Sequence, residues 1–254
     1  MINLRTDSTL EEHKSVITDV CFRPNSTQLA TASMDKSVRL WDTANPIRSL
    51  HEYSGHDSAV MSLDFHPKKT DLFCSCDGND EIRYWNISSS SSCCREFKES
   101  LGGNGLVRFQ PRHGNVLAAV YNKTVSVFDV ETSTEIYSLQ GHPEVVDYIC
   151  WDPSGAVLVS VSQCLVKIWS MVSGECIQEL ASLPDQLFYS CVFHPSYSTL
   201  LIIGGTKCLE LWNMTHNKIM TVSAHEDTIS CLAQSPVTRI VASASHDSFV
   251  RLWK

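Results

Sequence analysis

Cysteine and histidine are the residue types in this sequence that most readily hold metals or carry electrons. The chain has 11 cysteines and 10 histidines among its 254 residues. A zinc or dithiol site usually needs ligands paired at short spacings such as Cys-x-x-Cys. The close pairs here are Cys74 with Cys76 and Cys93 with Cys94, and no Cys-x-x-Cys or paired Cys/His spacing occurs. The pattern predicts no metal ligands and favours reduced thiols in an intracellular protein.

Two further segments carry residue types that could do catalytic or phosphate chemistry. Residues 33–36 match Ser-x-x-Lys, and residues 102–105 are the glycine-rich Gly-Gly-Asn-Gly. The first precedes an alternating apolar segment and is typical of a turn, and the second is typical of a flexible connector. The chain contains no Gly-x-Ser-x-Gly, His-Glu-x-x-His, P-loop or Gly-x-Gly-x-x-Gly. We therefore expect no catalytic residue, no cofactor-binding residue and no small-molecule substrate, so the chain is interpreted as a non-enzyme.

Charge and hydropathy exclude two further classes of partner. The formal net charge is −8, which does not favour direct contact with the phosphates of nucleic acid. The longest apolar runs, such as residues 116–120, are far shorter than the roughly 20 residues that span a bilayer. The opening residues lack the apolar core of a secretory signal. The sequence predicts an acidic protein whose partners are other proteins, with no nucleic-acid or membrane partner.

The elements that position these side chains follow from an internal repeat. A four-residue segment that alternates apolar and polar residues and ends in an aromatic recurs about every 42 residues. Alternation with period two is the signature of a β-strand. The six copies are VRLW 38–41, IRYW 82–85, VSVF 125–128, VKIW 166–169, LELW 209–212 and VRLW 250–253. The repeats thus end near residues 41, 85, 128, 169, 212 and 253.

Other landmarks recur in phase with this segment. A proline closes a second alternating strand in each repeat, at Pro24, Pro67, Pro111, Pro153, Pro195 and Pro236. An apolar segment such as LATAS 29–33 follows the proline turn, and a fourth candidate strand precedes a Gly-His or its variant. Four short strands repeated six times predict an all-β chain of about 24 strands, in which stacked four-stranded sheets bury both faces.

These repeats resemble the WD40-repeat β-propeller. The matching pairs are the Gly-His at 55–56 and 141–142, the variant Ala-His at 224–225, the Trp-Asp at 41–42 and the Phe-Asp at 128–129. The resemblance implies a propeller over residues 12–254, with residues 1–11 as an outer strand of the last blade. We expect either six blades closed by that N-terminal strand or a seven-blade propeller that lacks its first blade.

The resemblance also implies structural hydrogen-bond networks. In WD40 repeats a His, a Ser or Thr, an Asp and the Trp form a hydrogen-bonded chain that compensates burial of the imidazole. The fourth repeat has His142, Ser162 and Trp169, with Cys164 where the Asp belongs, and the third and fifth repeats lack the His. The expected intact networks are His13, Ser33, Asp35 and Trp41 in the first repeat and His225, Ser245, Asp247 and Trp253 in the last.

Longer stretches resemble the C-terminal propeller of LEUNIG-type plant transcriptional corepressors, which are related in role to Groucho/TLE-type corepressors. These stretches are residues 62–85, 150–155, 191–204 and 209–226, and the turn CSCDGNDEIRYW at 74–85 is the most specific. The resemblance implies a nuclear protein that contacts repression machinery such as histone deacetylases or Mediator subunits. That family also has an N-terminal adaptor-binding region, a glutamine-rich linker and seven repeats, and the six repeats here begin where the second would begin.

The candidate binding residues lie six or five positions before the prolines, where each repeat enters its first strand. Met61, Asp147, Tyr148 and Tyr189 at one rim of a propeller would suit a peptide-binding hot spot. The alternative is that Met61 and Tyr189 pack between blades.

A general WD40 scaffold and a ubiquitin-ligase substrate receptor are alternative functions. The adaptor-docking box of such receptors has an Arg three residues after the Trp. Those positions here are Ala44, Ser88, Glu131, Val172 and Thr215, which do not fit the box.

Overall fold

The computed structural model describes residues 9–88, 93–98, 105–235 and 237–254, and these residues form strands and turns without a helix. Nothing in this part of the chain is both helical and apolar over a length that could cross a membrane. The chain divides into two compact units, Met1–Phe109 and Gln110–Lys254.

The first unit holds nine strands from the first two repeats and the start of the third. They are β1 (Ile17–Phe22), β2 (Gln28–Ser33), β3 (Ser37–Asp42), β4 (His51–Ser54), β5 (Val60–Phe65), β6 (Leu72–Asp77), β7 (Glu81–Asn86), β8 (Cys93–Lys98) and β9 (Leu106–Phe109). Strands β1 to β4 form one antiparallel sheet in chain order, and β5 to β8 form the next.

The second unit holds the remaining fourteen described strands. They are β10 (Val116–Tyr121), β11 (Thr124–Asp129), β12 (Glu135–Leu139), β13 (Val146–Trp151), β14 (Val157–Ser162), β15 (Leu165–Ser170), β16 (Cys176–Ala181), β17 (Phe188–Phe193), β18 (Leu200–Gly205), β19 (Cys208–Asn213), β20 (Lys218–Ser223), β21 (Ile229–Ser235), β22 (Ile240–Ser245) and β23 (Val250–Trp253). Strands β13 to β16 and β17 to β20 form four-stranded antiparallel sheets, and β21 to β23 form a sheet of three described strands.

Each repeat of the sequence thus forms one sheet, called blades 1 to 6 in chain order, and the six blades are those of a β-propeller. The predicted all-β class is confirmed, and every aromatic-ended segment lies on the third strand of its blade. Short hairpins join the second and third strands. One of them has Asn122 at φ 55°, a left-handed conformation that Asn tolerates better than most residues.

Neighbouring blades share apolar cores. In the first unit, Val38 and Leu40 on β3 pack in one cluster with Val60, Leu63 and Phe65 on β5, and all five are less than 5% exposed. In the second unit, blades 4 and 5 form the corresponding cluster. Burial of branched and aromatic side chains at about 25 cal/mol per Å² stabilises these junctions.

The role predicted for residues 1–11 stays a prediction. Residues 1–8 lie outside the described residues, and residues 9–11 are described without being part of a strand.

Candidate functional site

A buried histidine organises the interior of blade 1. His13 Nε2 lies 2.7 Å from Thr31 Oγ1, and Trp41 Nε1 donates to the same hydroxyl at 2.8 Å. Because Thr31 accepts from Trp41, its own proton is available to Nε2, which leaves the imidazole proton on Nδ1. Nδ1 lies 2.9 Å from Asp35 Oδ2 and donates to it. The chain of hydrogen bonds therefore runs from indole to hydroxyl to imidazole to carboxylate.

The prediction that Ser33 supplies the hydroxyl of this network is wrong, because Thr31 supplies it. Side chains alternate along β2, and it is Thr31, opposite Arg39, that meets the ring of Trp41. Ser33 lies two residues further along the strand, on the same face, and its hydroxyl accepts from the Asp35 N–H at 3.1 Å. Its role is to cap the turn that holds the carboxylate.

Blade 6 repeats this arrangement and the same correction. His225 Nε2 lies 2.7 Å from Ser243 Oγ, which also accepts from Trp253 Nε1 at 2.9 Å. His225 Nδ1 lies 2.8 Å from Asp247 Oδ2. The predicted Ser245 instead accepts from the backbone N–H of Asp247.

The carboxylates at both ends of the chain are held ionised. Burial alone would raise the pKa of Asp35, but hydrogen bonds from Ser37, from the Lys14 N–H and from His13 hold that pKa well below its usual range. Burial also acts to raise the pKa of Asp247. Hydrogen bonds from two backbone N–H groups and from His225 lower its pKa to about 2.

Blade 4 completes its network with a different residue from the one expected. His142 lies between Ser160, 2.6 Å from Nε2, and Ser162, 2.9 Å from Nδ1, and Trp169 donates to Ser160 at 2.8 Å. Ser162 thus replaces the carboxylate, and Cys164 contributes no side-chain contact to this network among the described residues. Burial, together with the nearby charge of Lys167, lowers the pKa of His142 to about 4.

Blade 2 contains a network that the sequence analysis missed. His56 Nε2 lies 2.7 Å from Ser75 Oγ, which accepts from Trp85 Nε1 at 2.8 Å. His56 Nδ1 is 3.3 Å from Asp77 Oδ2, a longer approach than in blades 1 and 6. The signal was present in the sequence, because His56 stands eleven residues before Pro67 just as His13 does before Pro24.

The acidic turn of blade 2 also brings together a possible metal-ligand set. His56, Asp77 and Glu81 are buried, and their ligand atoms lie within 4.8 Å of one another. The two carboxylates already bind other groups. Asp77 Oδ1 accepts from the N–H groups of Asn79 and Glu81, and Glu81 Oε1 accepts from Arg83 at 2.6 Å. The arrangement is that of a hydrogen-bonded turn neutralised by a guanidinium.

Blade 5 lacks the network and contains a cavity in its place. Pro184 stands where blades 1, 2, 4 and 6 have the His, Ile203 where those blades have the hydroxyl, and Gly205 where blade 2 has Asp77. The indole N–H of Trp212 donates instead to Asn217 Oδ1 at 3.0 Å. Without the imidazole and carboxylate, a cavity of about 330 Å³ opens. It is lined by Pro184, Asp185, Gln186, Phe188, Gly205, Thr206, Lys207, Cys208 and Glu210.

Three of the four residues predicted at the rim, Met61, Asp147 and Tyr189, share one backbone feature. In the first strand of each of five blades the register shifts at a β-bulge near its start. The unpaired residue there is Thr18, Met61, Asp147, Tyr189 or Ser230. A bulge turns its side chain away from the regular pleat, and bulges are common beside binding sites.

The four candidate residues are all half-buried. Met61 belongs to the first unit, and the other three belong to the second. Tyr148 packs against the apolar cluster between blades 4 and 5. Asp147 Oδ2 is buried without a hydrogen-bond partner among the described residues, and burial raises its pKa. Tyr189 follows Phe188, which lines the cavity of blade 5.

Comparison with known proteins identifies the repeats. The family model for the WD domain, G-beta repeat, matches residues 5–42, 47–86, 133–170 and 216–254, which together make more than half of the chain. These four segments correspond to blades 1, 2, 4 and 6, which are the blades with a histidine network.

Relatives of the whole chain have different functions. The chain is 52% identical over 255 aligned residues to the transcriptional corepressor LEUNIG_HOMOLOG of Arabidopsis thaliana, covering 100% of the chain and 32% of that protein. It is 26% identical to the nuclear distribution protein PAC1 of Arthroderma benhamiae, over 96% of the chain and 60% of that protein. The human WD repeat and HMG-box DNA-binding protein 1 is 25% identical over 70% of the chain and 16% of its own length. The chain thus spans about a third to three fifths of the first two relatives.

Proposed function

The chain belongs to the WD40-repeat family, and from that membership we propose that it is a non-catalytic protein-interaction platform, the propeller of a transcriptional corepressor. The observation that carries this proposal is the identity of 52% over the full chain to a transcriptional corepressor, twice the identity to the nuclear distribution proteins. We propose the nucleus as its site of action and histone deacetylases or Mediator subunits as its partners.

The proposed binding surface lies in the second unit, and we call it the blade 4–5 surface. It comprises Asp147 and Tyr148 on β13, Tyr189 on β17, and the cavity of blade 5. Strands β13 and β17 pack side by side, so their bulge residues belong to adjacent blades. Tyrosines on a rigid scaffold supply contact area at low cost in side-chain entropy.

The chemistry of this surface indicates the partner. Among the residues that the structure describes, no donor reaches the buried Oδ2 of Asp147, and a buried polar atom of this kind costs about 1–3 kcal/mol until it is paired. A Lys, an Arg or a backbone N–H of a bound peptide would pair it. The cavity beside Phe188 is large enough for one apolar or aromatic side chain of the same peptide. We therefore propose a peptide segment with a hydrogen-bond donor or positive charge next to an apolar residue.

Tethered repression tests the proposed function. The chain is fused to a foreign DNA-binding domain and placed upstream of a reporter promoter, where we expect transcription to fall. Without the tether the acidic chain should not reach promoters, because it offers no excess of basic charge for DNA. A folded, nuclear, tethered chain that leaves transcription unchanged contradicts the corepressor role and favours a general scaffold.

Substitutions then test the surface. Tyr148→Ala combined with Tyr189→Ala should remove most of the tethered repression and of the co-precipitated deacetylase or Mediator subunit. The matched control is Tyr197→Ala, since Tyr197 is 64% exposed in the turn between β17 and β18. Equal loss with the control, or full repression by the double variant, would place the binding surface elsewhere.

A further inference from the structure

One position on the third strand of the blades carries a charge whose sign is reversed in blade 5. This position is the second residue of the aromatic-ended segment. In blades 1, 2, 4 and 6 it is basic, as Arg39, Arg83, Lys167 and Arg251. Blade 3 has Ser126 there, and blade 5 has Glu210. Of the six repeats, only the fifth therefore places a carboxylate at this point of its sheet.

In blades 1 and 4 the basic side chain is neutralised within its own blade. Arg39 donates to Glu52 on β4 at 2.6 Å. Lys167 donates to Glu179 on β16 at 2.8 Å. In both blades the acidic partner lies directly opposite the base in the ladder between the third and fourth strands. The chain thus supplies both members of the ion pair.

In blade 5 the chain supplies only the acidic member. The residue opposite Glu210 on β20 is Thr221, whose hydroxyl donates to Oε2 at 2.8 Å. Among the described residues, Oε1 accepts no hydrogen bond and no cation forms an ion pair with this carboxylate. Glu210 is nevertheless only 6% exposed. An ionised carboxylate removed from water is costly unless it is paired, so this group is set up to accept a positive charge.

A second cavity of blade 5 lies at the place that the basic side chain occupies in blades 2 and 4. A Cβ atom added to Gly55 would lie 2.9 Å from a guanidinium nitrogen of Arg83, and one added to Gly141 would lie 3.5 Å from Lys167 Nζ. Leu183 replaces this glycine in blade 5. The second cavity has a volume of about 270 Å³. It is lined by Leu180, Ala181, Leu183, Gln186, Phe188, Glu210, Ile219 and Thr221.

The lining of the second cavity matches the two parts of a basic side chain. Among the described residues that line it, Glu210 is the only charged one. Leu180, Leu183 and Ile219 give it apolar walls. Lysine and arginine pack their aliphatic stems on apolar surface and direct the charged head to a polar partner. A hydrogen bond between that head and a carboxylate is stronger than one between neutral groups.

We propose that the second cavity binds a lysine or arginine side chain of the protein partner, with its charge paired to Glu210. This inference rests on the proposed function, because the partner is the peptide segment bound at the blade 4–5 surface. The second cavity shares Gln186, Phe188 and Glu210 with the cavity of about 330 Å³ described above. The basic residue is therefore a close neighbour of the apolar residue assigned to that first cavity. The first cavity is less suited to a cation, because Lys207 lines it.

Side-chain analogues test the second cavity on the full chain. Butylguanidinium carries the charge of arginine on an aliphatic stem, butylammonium is the corresponding analogue of lysine, and butylurea is a neutral molecule of similar shape. Each is titrated into the protein while the methyl NMR signals of Leu183 and Ile219 are followed. One or both cations should shift these signals saturably, and butylurea should not.

A conservative substitution tests the role of the carboxylate. Glu210→Gln keeps an acceptor for Thr221 and removes the charge, so affinity for the cations should fall roughly tenfold to a hundredfold. The variant should be at least as stable as the wild type, because it no longer buries an unpaired charge. Glu175→Gln is the matched control, since Glu175 is exposed in the turn before β16, at the end of that strand opposite to Ala181. It should bind the cations as the wild type does.

Tethered repression separates this inference from the proposed function. Glu210→Gln should lose most of the repression, and Glu175→Gln should retain it. Analogue binding that does not depend on Glu210, or no binding at all, overturns the inference. Full repression by Glu210→Gln also overturns it. In each of these cases, repression by the tethered wild type leaves the proposed function standing. A tethered wild type that does not repress contradicts the proposed function, and the titrations then still decide whether the second cavity binds a basic side chain.

Discussion

Blades 2 and 5 have nearly the same strand lengths but fill their interiors by different means. In blade 2, His56, Ser75 and Trp85 form a hydrogen-bonded chain beside the carboxylate of Asp77. In blade 5, Ile203 replaces the hydroxyl, and a cavity of about 330 Å³ lies where the imidazole and carboxylate would be. A blade can thus form without the histidine network, and a cavity then lies where that network would be.

The largest effect should come from the carboxylate of blade 2. Asp77 is fully buried and accepts from the N–H groups of Ser58, Asn79 and Glu81. Asp77→Ala should lower the free energy of unfolding by about 3 kcal/mol, because these donors lose their acceptor. Relief of repulsion with the carboxylate of Glu81 offsets part of that loss.

Denaturation in urea measures this cost. Asp77→Asn is the control, because its amide oxygen can still accept from the turn, and it should cost less than the alanine variant. If the alanine variant is as stable as the wild type, the carboxylate does not stabilise blade 2. The two blades would then not differ in how they are stabilised.

The buried imidazole of His142 in blade 4 should also make the protein sensitive to acid. The pKa of His142 falls to about 4 in the folded chain, below its usual value of about 6.5. Between these values the unfolded chain binds a proton that the folded chain excludes, so stability falls as pH drops from about 6.5 to 4 and then levels off.

A variant isolates this titration. His142→Gln should be less stable than the wild type at neutral pH. Its deficit should shrink by on the order of 2 kcal/mol as pH falls to about 4. Val157→Ala in the same blade removes no titrating group, so its deficit should stay constant. A deficit of His142→Gln that is independent of pH would contradict the neutral, buried imidazole.

A smaller loss of stability is expected for substitutions in blades 1 and 4, where the network has a carboxylate and a serine, respectively. Asp35→Ala removes the acceptor of His13 and of the Lys14 N–H, and should cost about 1 kcal/mol since Asp35 is partly exposed. Cys164→Ala should cost less, because Ser162 and not Cys164 contacts His142. Chemical denaturation that ranks Cys164→Ala as the more damaging variant would reverse this assignment.

The sequence predicts the repeats and strands well, because alternation and the proline turns recur in every blade. It places the network hydroxyl two residues too late, at Ser33 and Ser245. Both positions on each second strand face the same side, so spacing alone does not distinguish them. Only the structure distinguishes them, by the hydrogen bonds that Thr31 and Ser243 accept from the indole N–H groups. The network of blade 2 and the cavity of blade 5 depend on which side chains occupy equivalent positions, which a strand pattern does not reveal.

An effect similar in size to that of Asp35→Ala is expected in blade 5 itself. Trp212 is fully buried, and its N–H donates to Asn217, which has φ 49° in the turn after β19. Asn217→Ala removes that acceptor and places a less tolerant residue in a left-handed conformation, and together these should cost about 1 kcal/mol. Asn217→Gly removes the acceptor but tolerates the backbone conformation, so it should cost about half as much. If both variants cost as much as Asp77→Ala, blade 5 depends on a hydrogen bond as blade 2 does. Apolar packing would then not be its principal stabilising term.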